Sequence, residues 1–146
     1  MRKKCLFGFI FLAIVGLYYS FPEIARADDL IVIGNRSIPV SGLSPVDIQN
    51  IYLGKKKVWD NGMKVEVATL GECATTDRFL TEYVKKNSNT FNNYWKKQVF
   101  TGGGKPPVSF EREKDLVDYV SKTKGAVGYL SSQSSTESVK ILAVLK

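Results

Sequence analysis

The sequence predicts an α/β layered domain, and three observations predict it. Short apolar runs of strand length alternate along the chain with stretches of helical period. Residues 30–33 and 126–130 are apolar at almost every position, as in strands covered on both faces. Residues 64–86 pass from one period directly into the other. Val65 and Val67 alternate with Glu66 and Ala68, the chain breaks at Gly71, and Phe79, Leu80, Tyr83 and Val84 then form the apolar stripe of a helix. Arg78, Glu82 and Lys85 lie on the opposite side of that stripe.

In chain order, residues 1–27 read as a secretory signal peptide. Arg2, Lys3 and Lys4 precede an apolar run over residues 6–19, and Ala25-Arg26-Ala27 closes it with small residues, placing the expected cut before Asp28. The run is short of the roughly 20 apolar residues of a bilayer span, so no stable span is expected after cleavage; an uncleaved anchor is the alternative. Residues 28–146 are expected to form one domain, periplasmic or secreted.

Residues 30–33 predict a buried strand ending at Gly34-Asn35, followed by a loop with Pro39 and Gly42. Ser44 caps the next helix, with Pro45 at its first position, Asp47 three residues after the cap, and Leu43 able to staple onto Ile48. Ile48, Ile51 and Tyr52 give its inward face, and Gly54 ends it. Asp60-Asn61-Gly62 is a turn before the strand of residues 64–70. Thr75 or Thr76 is the expected cap of the helix that follows. Asn87, Ser88 and Asn89 offer caps for another helix, with Phe91, Tyr94, Trp95 and Val99 at helical spacing and the aromatics expected in the core. A glycine loop covers residues 101–107. It is not a phosphate-binding Walker loop, because Val99 and Pro106 stand where that pattern requires glycine and a hydroxyl. Ser109 is the expected cap of a last helix containing Leu116, Val117 and Val120, and strands over residues 126–130 and 139–145 complete the chain.

Composition narrows the function. The formal charge of +7 falls to +4 once Arg2, Lys3, Lys4, Arg26 and Glu23 are removed. That balance suits small acidic ligands or an anionic envelope surface better than nucleic acid, whose partners carry a stronger basic footprint. The chain has no histidine, which excludes Ser-His and Cys-His pairs and histidine metal sites. No enzyme, cofactor or metal is therefore expected. Cys73 is the single cysteine after residue 27, so no internal disulfide can form there.

The strongest functional signal is the strand, turn and helix around Gly71. Such a corner aims backbone N–H groups and the positive end of a helix dipole at one point, which suits an anion. Arg78 could add a forked cation, and Thr75 and Thr76 could donate through their hydroxyls. The competing reading is that the threonines only cap the helix while Arg78 pairs with Glu82.

Three strings in order, LSPVDIQNIYLGKKKVW, TTDRFLTEYV and GAVGYL, resemble the phosphate-binding proteins of ABC transporters in the type 2 periplasmic-binding-protein superfamily. The string Ile51-Tyr52-Leu53-Gly54-Lys55 with Trp59 behind it, and Gly125-Ala126-Val127-Gly128-Tyr129, carry that resemblance. It implies a single three-layer domain with a mixed sheet flanked by helices, like one lobe of such a protein. It also implies a phosphate-like oxyanion at the helix start, with ABC transport as the setting. The family places an arginine, an acid and Gly-Ser-Gly-Thr at this corner. This chain has Leu70, Glu72, Cys73, Ala74, Thr75 and Thr76 there, so the acid and the last threonine match. The candidate ligand residues are Glu72 and Thr76, which match the family, and Thr75 and Arg78, which the corner itself offers, with Gly103, Gly104 and Lys105 as loop contacts. The alternative is a lobe that docks an envelope protein or transporter component and holds no small ligand.

Overall fold

The computed structural model describes residues 28–132 and 134–146, so the expected signal peptide lies outside the described residues. The elements run β1 (Leu30–Gly34), α1 (Pro45–Tyr52), β2 (Glu66–Leu70), α2 (Ala74–Phe79), α3 (Ser88–Phe100), β3 (Val108–Phe110), α4 (Glu113–Lys122), β4 (Ala126–Ser131) and β5 (Lys140–Leu145). The five strands form one mixed sheet in the order β3-β2-β4-β1-β5. β2 is parallel to β3 and β4, while β1 is antiparallel to β4 and β5.

Alternation along β4 shows how the layers are laid down. Gly128 faces α4 so closely that an added Cβ would lie 2.6 Å from Leu116 and 3.3 Å from Val120, and only glycine lets helix and strand approach this far. Tyr129, one residue on, points to the other face. Its ring stacks on Phe79 of α2 with centroids 3.9 Å apart and lies 6.0 Å from Tyr52 of α1. α4 therefore covers one face of the sheet and α1 with α2 the other, giving three layers around a core of Leu30, Val32, Ile33, Ala126, Val127 and Leu130. Burying each large apolar side chain of this kind contributes about 1.5–3 kcal/mol.

α1 forms as its residues dictate. The Ser44 hydroxyl accepts from the Asp47 N–H, the Asp47 carboxylate accepts from the Ser44 N–H, and Pro45 opens the first turn. Gly54 takes φ +69° beyond its end. α3 is capped by Asn87, whose side chain accepts from the Thr90 N–H. It packs on the end of α1, with the Trp95 indole N–H donating to the Tyr52 carbonyl at 3.1 Å and the Tyr94 hydroxyl to the Leu53 carbonyl at 2.6 Å. Phe91 and Trp95 are buried as expected, whereas Val99 is 52% exposed.

Three elements differ from expectation. α2 starts at Ala74 with Cys73 as its N-cap, so Thr75 and Thr76 lie inside the first turn and cap nothing. α2 runs on into a π-helical turn, Leu80–Val84, closed by Lys85 in the left-handed region at φ +60°. Ser109 does not cap the last helix; it sits in β3, which zips parallel to β2, and Arg112 takes the N-cap position of α4. A three-residue edge strand is too short to show an alternation, and its stability comes from β2 rather than from its own residues.

Candidate functional site

The corner between β2 and α2 sits at the carboxyl end of a parallel pair, where ligands bind in open α/β sheets. Its inner wall is a closed network of hydroxyls. Thr76, buried, donates to the Gly71 carbonyl at 2.8 Å and accepts from the Tyr129 hydroxyl at 2.9 Å. The Tyr129 oxygen accepts from the Leu70 N–H at 3.2 Å and lies 2.8 Å from the Thr69 hydroxyl. Burial pushes the Tyr129 phenol up, partly offset by its hydrogen bonds to Thr69 and Thr76. Burial and the neighbouring Tyr129 push the Tyr52 phenol well above its ordinary value. With its hydrogen committed to Gly71, the Thr76 hydroxyl shapes the corner from inside.

The other expected residues divide between two sides of α2. Thr75 and Arg78 border a hollow of about 220 Å³ with Ala74, Leu30, Asp28, Asp29 and Ser131. Arg78 donates to the backbone carbonyl of Asp28 rather than pairing with Glu82. Cys73, exposed at the N-cap, caps no backbone N–H, its thiol lies 3.3 Å from the Thr76 hydroxyl, and the first intrahelical bond runs from the Asp77 N–H to the Cys73 carbonyl. The amides of Ala74, Thr75 and Thr76 precede that bond and so have no acceptor within the helix.

On the other side, Glu72 and Thr76 line a cleft of about 590 Å³ between the carboxyl end of β2 and α3, walled by Leu70, Leu80, Phe91 and Trp95. Its walls are mostly apolar. The glycine loop supplies Pro106 and Pro107 to this cleft, while Gly103, Gly104 and Lys105 are not among its lining residues. Gly103 instead accepts from the Lys57 ammonium at 3.1 Å. The structure thus splits the residues expected at one point into a polar hollow, an apolar cleft and a loop segment that lines neither.

Three contributors went unmarked in the sequence reading. Tyr129 closes the network, and its only sequence signal was its place in the GAVGYL string. Glu111 approaches the turn, since a Cβ on Gly71 would lie 3.4 Å from both of its carboxylate oxygens. Glu113 accepts from the Ser131 N–H at 2.9 Å and the Ser131 hydroxyl at 3.0 Å, pinning the rim of the hollow. Nothing local in the sequence announces either glutamate, because both reach the corner through tertiary packing of β3 and α4.

The fold is similar to about half of several solved proteins named for phosphate transport or binding. Structures with this fold include an ABC-type phosphate transport receptor from Vibrio cholerae, at TM-score 0.60 and 19% identity over 79% of this chain and 45% of that one. A protein assigned as a phosphate ABC transporter substrate-binding protein from Clostridium perfringens, solved with bound phosphate, aligns at TM-score 0.62 and 19% identity over 79% and 44% of the two chains. PstS from Borrelia burgdorferi aligns at 0.59 and 14% over 80% and 47%. This chain therefore spans less than half the length of each of these structures. No family model and no curated protein sequence matches it. Among the described residues no helix is long and apolar enough to cross a membrane.

Proposed function

We propose that this chain is a non-enzymatic binding module of the periplasm or cell exterior that holds a small oxyanion of the phosphate type at the start of α2. The observation that carries this reading is the uncapped first turn of α2 beside the hollow bordered by Thr75 and Arg78. Backbone N–H groups, a threonine hydroxyl and a guanidinium then share one small space, which is the donor set an oxyanion needs. Solved proteins of the same fold that are named for phosphate transport support the ligand class. Glu72 and the loop of Gly103, Gly104 and Lys105 would shape the approach, and Thr76 would hold the corner. Asp28 and Asp29 also border the hollow, so an oxyanion carrying a proton fits better than a fully ionised one.

The test is thermal melting with phosphate, sulfate and simple carboxylates. An anion at a hundred times its Kd stabilises by about 2.7 kcal/mol, and Arg78→Ala should abolish the shift. No shift with any anion at millimolar concentration, or the same shift in Arg78→Ala, removes the site. A second reading, docking of an envelope protein or transporter component, is favoured by the mostly apolar cleft of about 590 Å³ beside the corner. A stoichiometric partner whose binding is lost in Phe91→Asp but kept in Arg78→Ala would establish it.

A further inference from the structure

Charge is unevenly divided over this molecule. Residues 83–110 carry Lys85, Lys86, Lys96, Lys97 and Lys105 with no aspartate or glutamate, and residues 53–59 carry Lys55, Lys56 and Lys57 with none. The fold brings these two stretches together. Tyr94 and Trp95 of α3 bond to the carbonyls of Leu53 and Tyr52, the Lys57 ammonium reaches Gly103, and the Lys86 ammonium lies 5.7 Å from the Tyr94 ring. One of the eight lysines, Lys56, has an acid at hand, Asp60 at 3.8 Å. The remainder of residues 28–146 carries nine basic against thirteen acidic residues, so the net positive charge belongs to this side alone.

The same side exposes apolar groups. α3 ends on Phe100, which is 92% exposed, next to Val99 at 52%, with Val58 at 55% on the neighbouring loop. Lys97 and Lys96 stand three and four residues before Phe100 and so share its helical face. Lys105 follows in the loop. An aromatic ring this exposed, which with Lys96 and Val99 also borders the cleft of about 590 Å³, has flexible cations around it and calls for a partner that can close over it. A protein would have to offer a preformed pocket, whereas the headgroup region of a bilayer deforms to admit a ring while lysine stems lie along it and their ammonium groups meet phosphates.

We propose that this face, with Phe100 at its tip and Lys96, Lys97 and Lys105 around it, docks the protein on an anionic phospholipid surface. The inference uses none of the donor residues at the β2–α2 corner, so either can fail without the other. In this arrangement the lysines supply attraction within a Debye length and Phe100 supplies the apolar anchor.

Sedimentation of the full chain with vesicles of phosphatidylcholine alone, or mixed with phosphatidylglycerol, tests it. Binding should appear on the anionic vesicles and fall at high salt. Each of Lys96→Ala, Lys97→Ala and Lys105→Ala should weaken it about fivefold, and Phe100→Ala roughly tenfold. Lys96→Ala, Lys97→Ala and Phe100→Ala should alter neither the melting temperature nor its response to phosphate. Equal sedimentation on both lipids, no sedimentation, or variants that bind like the parent would overturn the proposal. So would retention on immobilised polyglutamate without vesicle binding, which would mark the face as a seat for an acidic protein.

Discussion

At the β2–α2 corner three hydroxyls are held among aromatic rings inside the protein, whereas at the tip of α3 a phenylalanine stands in water. Both places invert the ordinary distribution of polar and apolar groups, and the inversions have different physical standing. The inner one is closed: Thr76 donates to Gly71, Tyr129 donates to Thr76, and the Leu70 N–H and the Thr69 hydroxyl turn to the Tyr129 oxygen, so burial leaves no polar atom short of a partner. The outer one is open, since Phe100 gains nothing from the fold that exposes it. The first inversion is understood from the molecule alone, and the second is the one the proposed lipid contact would account for.

The comparison can be broken or sharpened by substitution. Phe79→Ala removes the ring stacked on Tyr129 and set edge-on to Tyr52 at 4.5 Å, from a site with no exposure. It should cost about 3–5 kcal/mol, read as a fall in urea midpoint at unchanged slope. Tyr129→Phe keeps the ring and deletes the hydroxyl, leaving Thr76, Thr69 and the Leu70 N–H without their shared partner, for about 1–3 kcal/mol. Adding Thr76→Val to Tyr129→Phe should cost less than the two single losses combined, because the groups act as one network. Additive losses would show three independent bonds instead.

A smaller effect depends on pH. An unfolded tyrosine gives up its proton near pH 10, while burial makes the Tyr129 and Tyr52 phenols keep theirs longer. Above that pH the unfolded state binds fewer protons than the folded one, so stability falls as pH rises, by up to about 1.4 kcal/mol per unit for each phenol. Below it neither tyrosine contributes a slope. Equilibrium denaturation from pH 8 to 11 should show this fall, and Tyr129→Phe should reduce its steepness. Least of all, Phe100→Ala should change stability by less than about 0.5 kcal/mol. A loss above 1 kcal/mol would mean that the ring is packed, and the contrast between the two ends would disappear.

The sequence was most legible where chemistry is local. Ser44, Pro45 and Asp47 specify the start of α1 with no help from the rest of the chain, and the apolar runs at residues 30–33 and 126–130 are the two adjacent strands at the middle of the sheet. Legibility failed where a residue's role is set across the fold. Thr76 is next to a helix start in sequence, yet its hydroxyl is claimed by Gly71 and Tyr129, the latter 53 residues away. Arg78 has Glu82 four residues on, but the N-terminal segment runs past it and its guanidinium takes the Asp28 carbonyl. Ser109 reads as a cap because β3 owes its existence to β2. The π-helical turn gives no composition signal, as Leu80, Tyr83 and Val84 satisfy an ordinary helical stripe equally well.

The place of β1 in the sheet bears on how the molecule is made. The first of the described strands lies between the last two, with Leu30 opposite both Ser131 and Leu145. A ribosome must therefore release nearly the whole chain before β1 has either neighbour, and contacts of such sequence separation form slowly. Until then residues 30–34 remain an apolar segment without a mate. Removal of β5 should leave β1 paired with β4 alone and its other edge open.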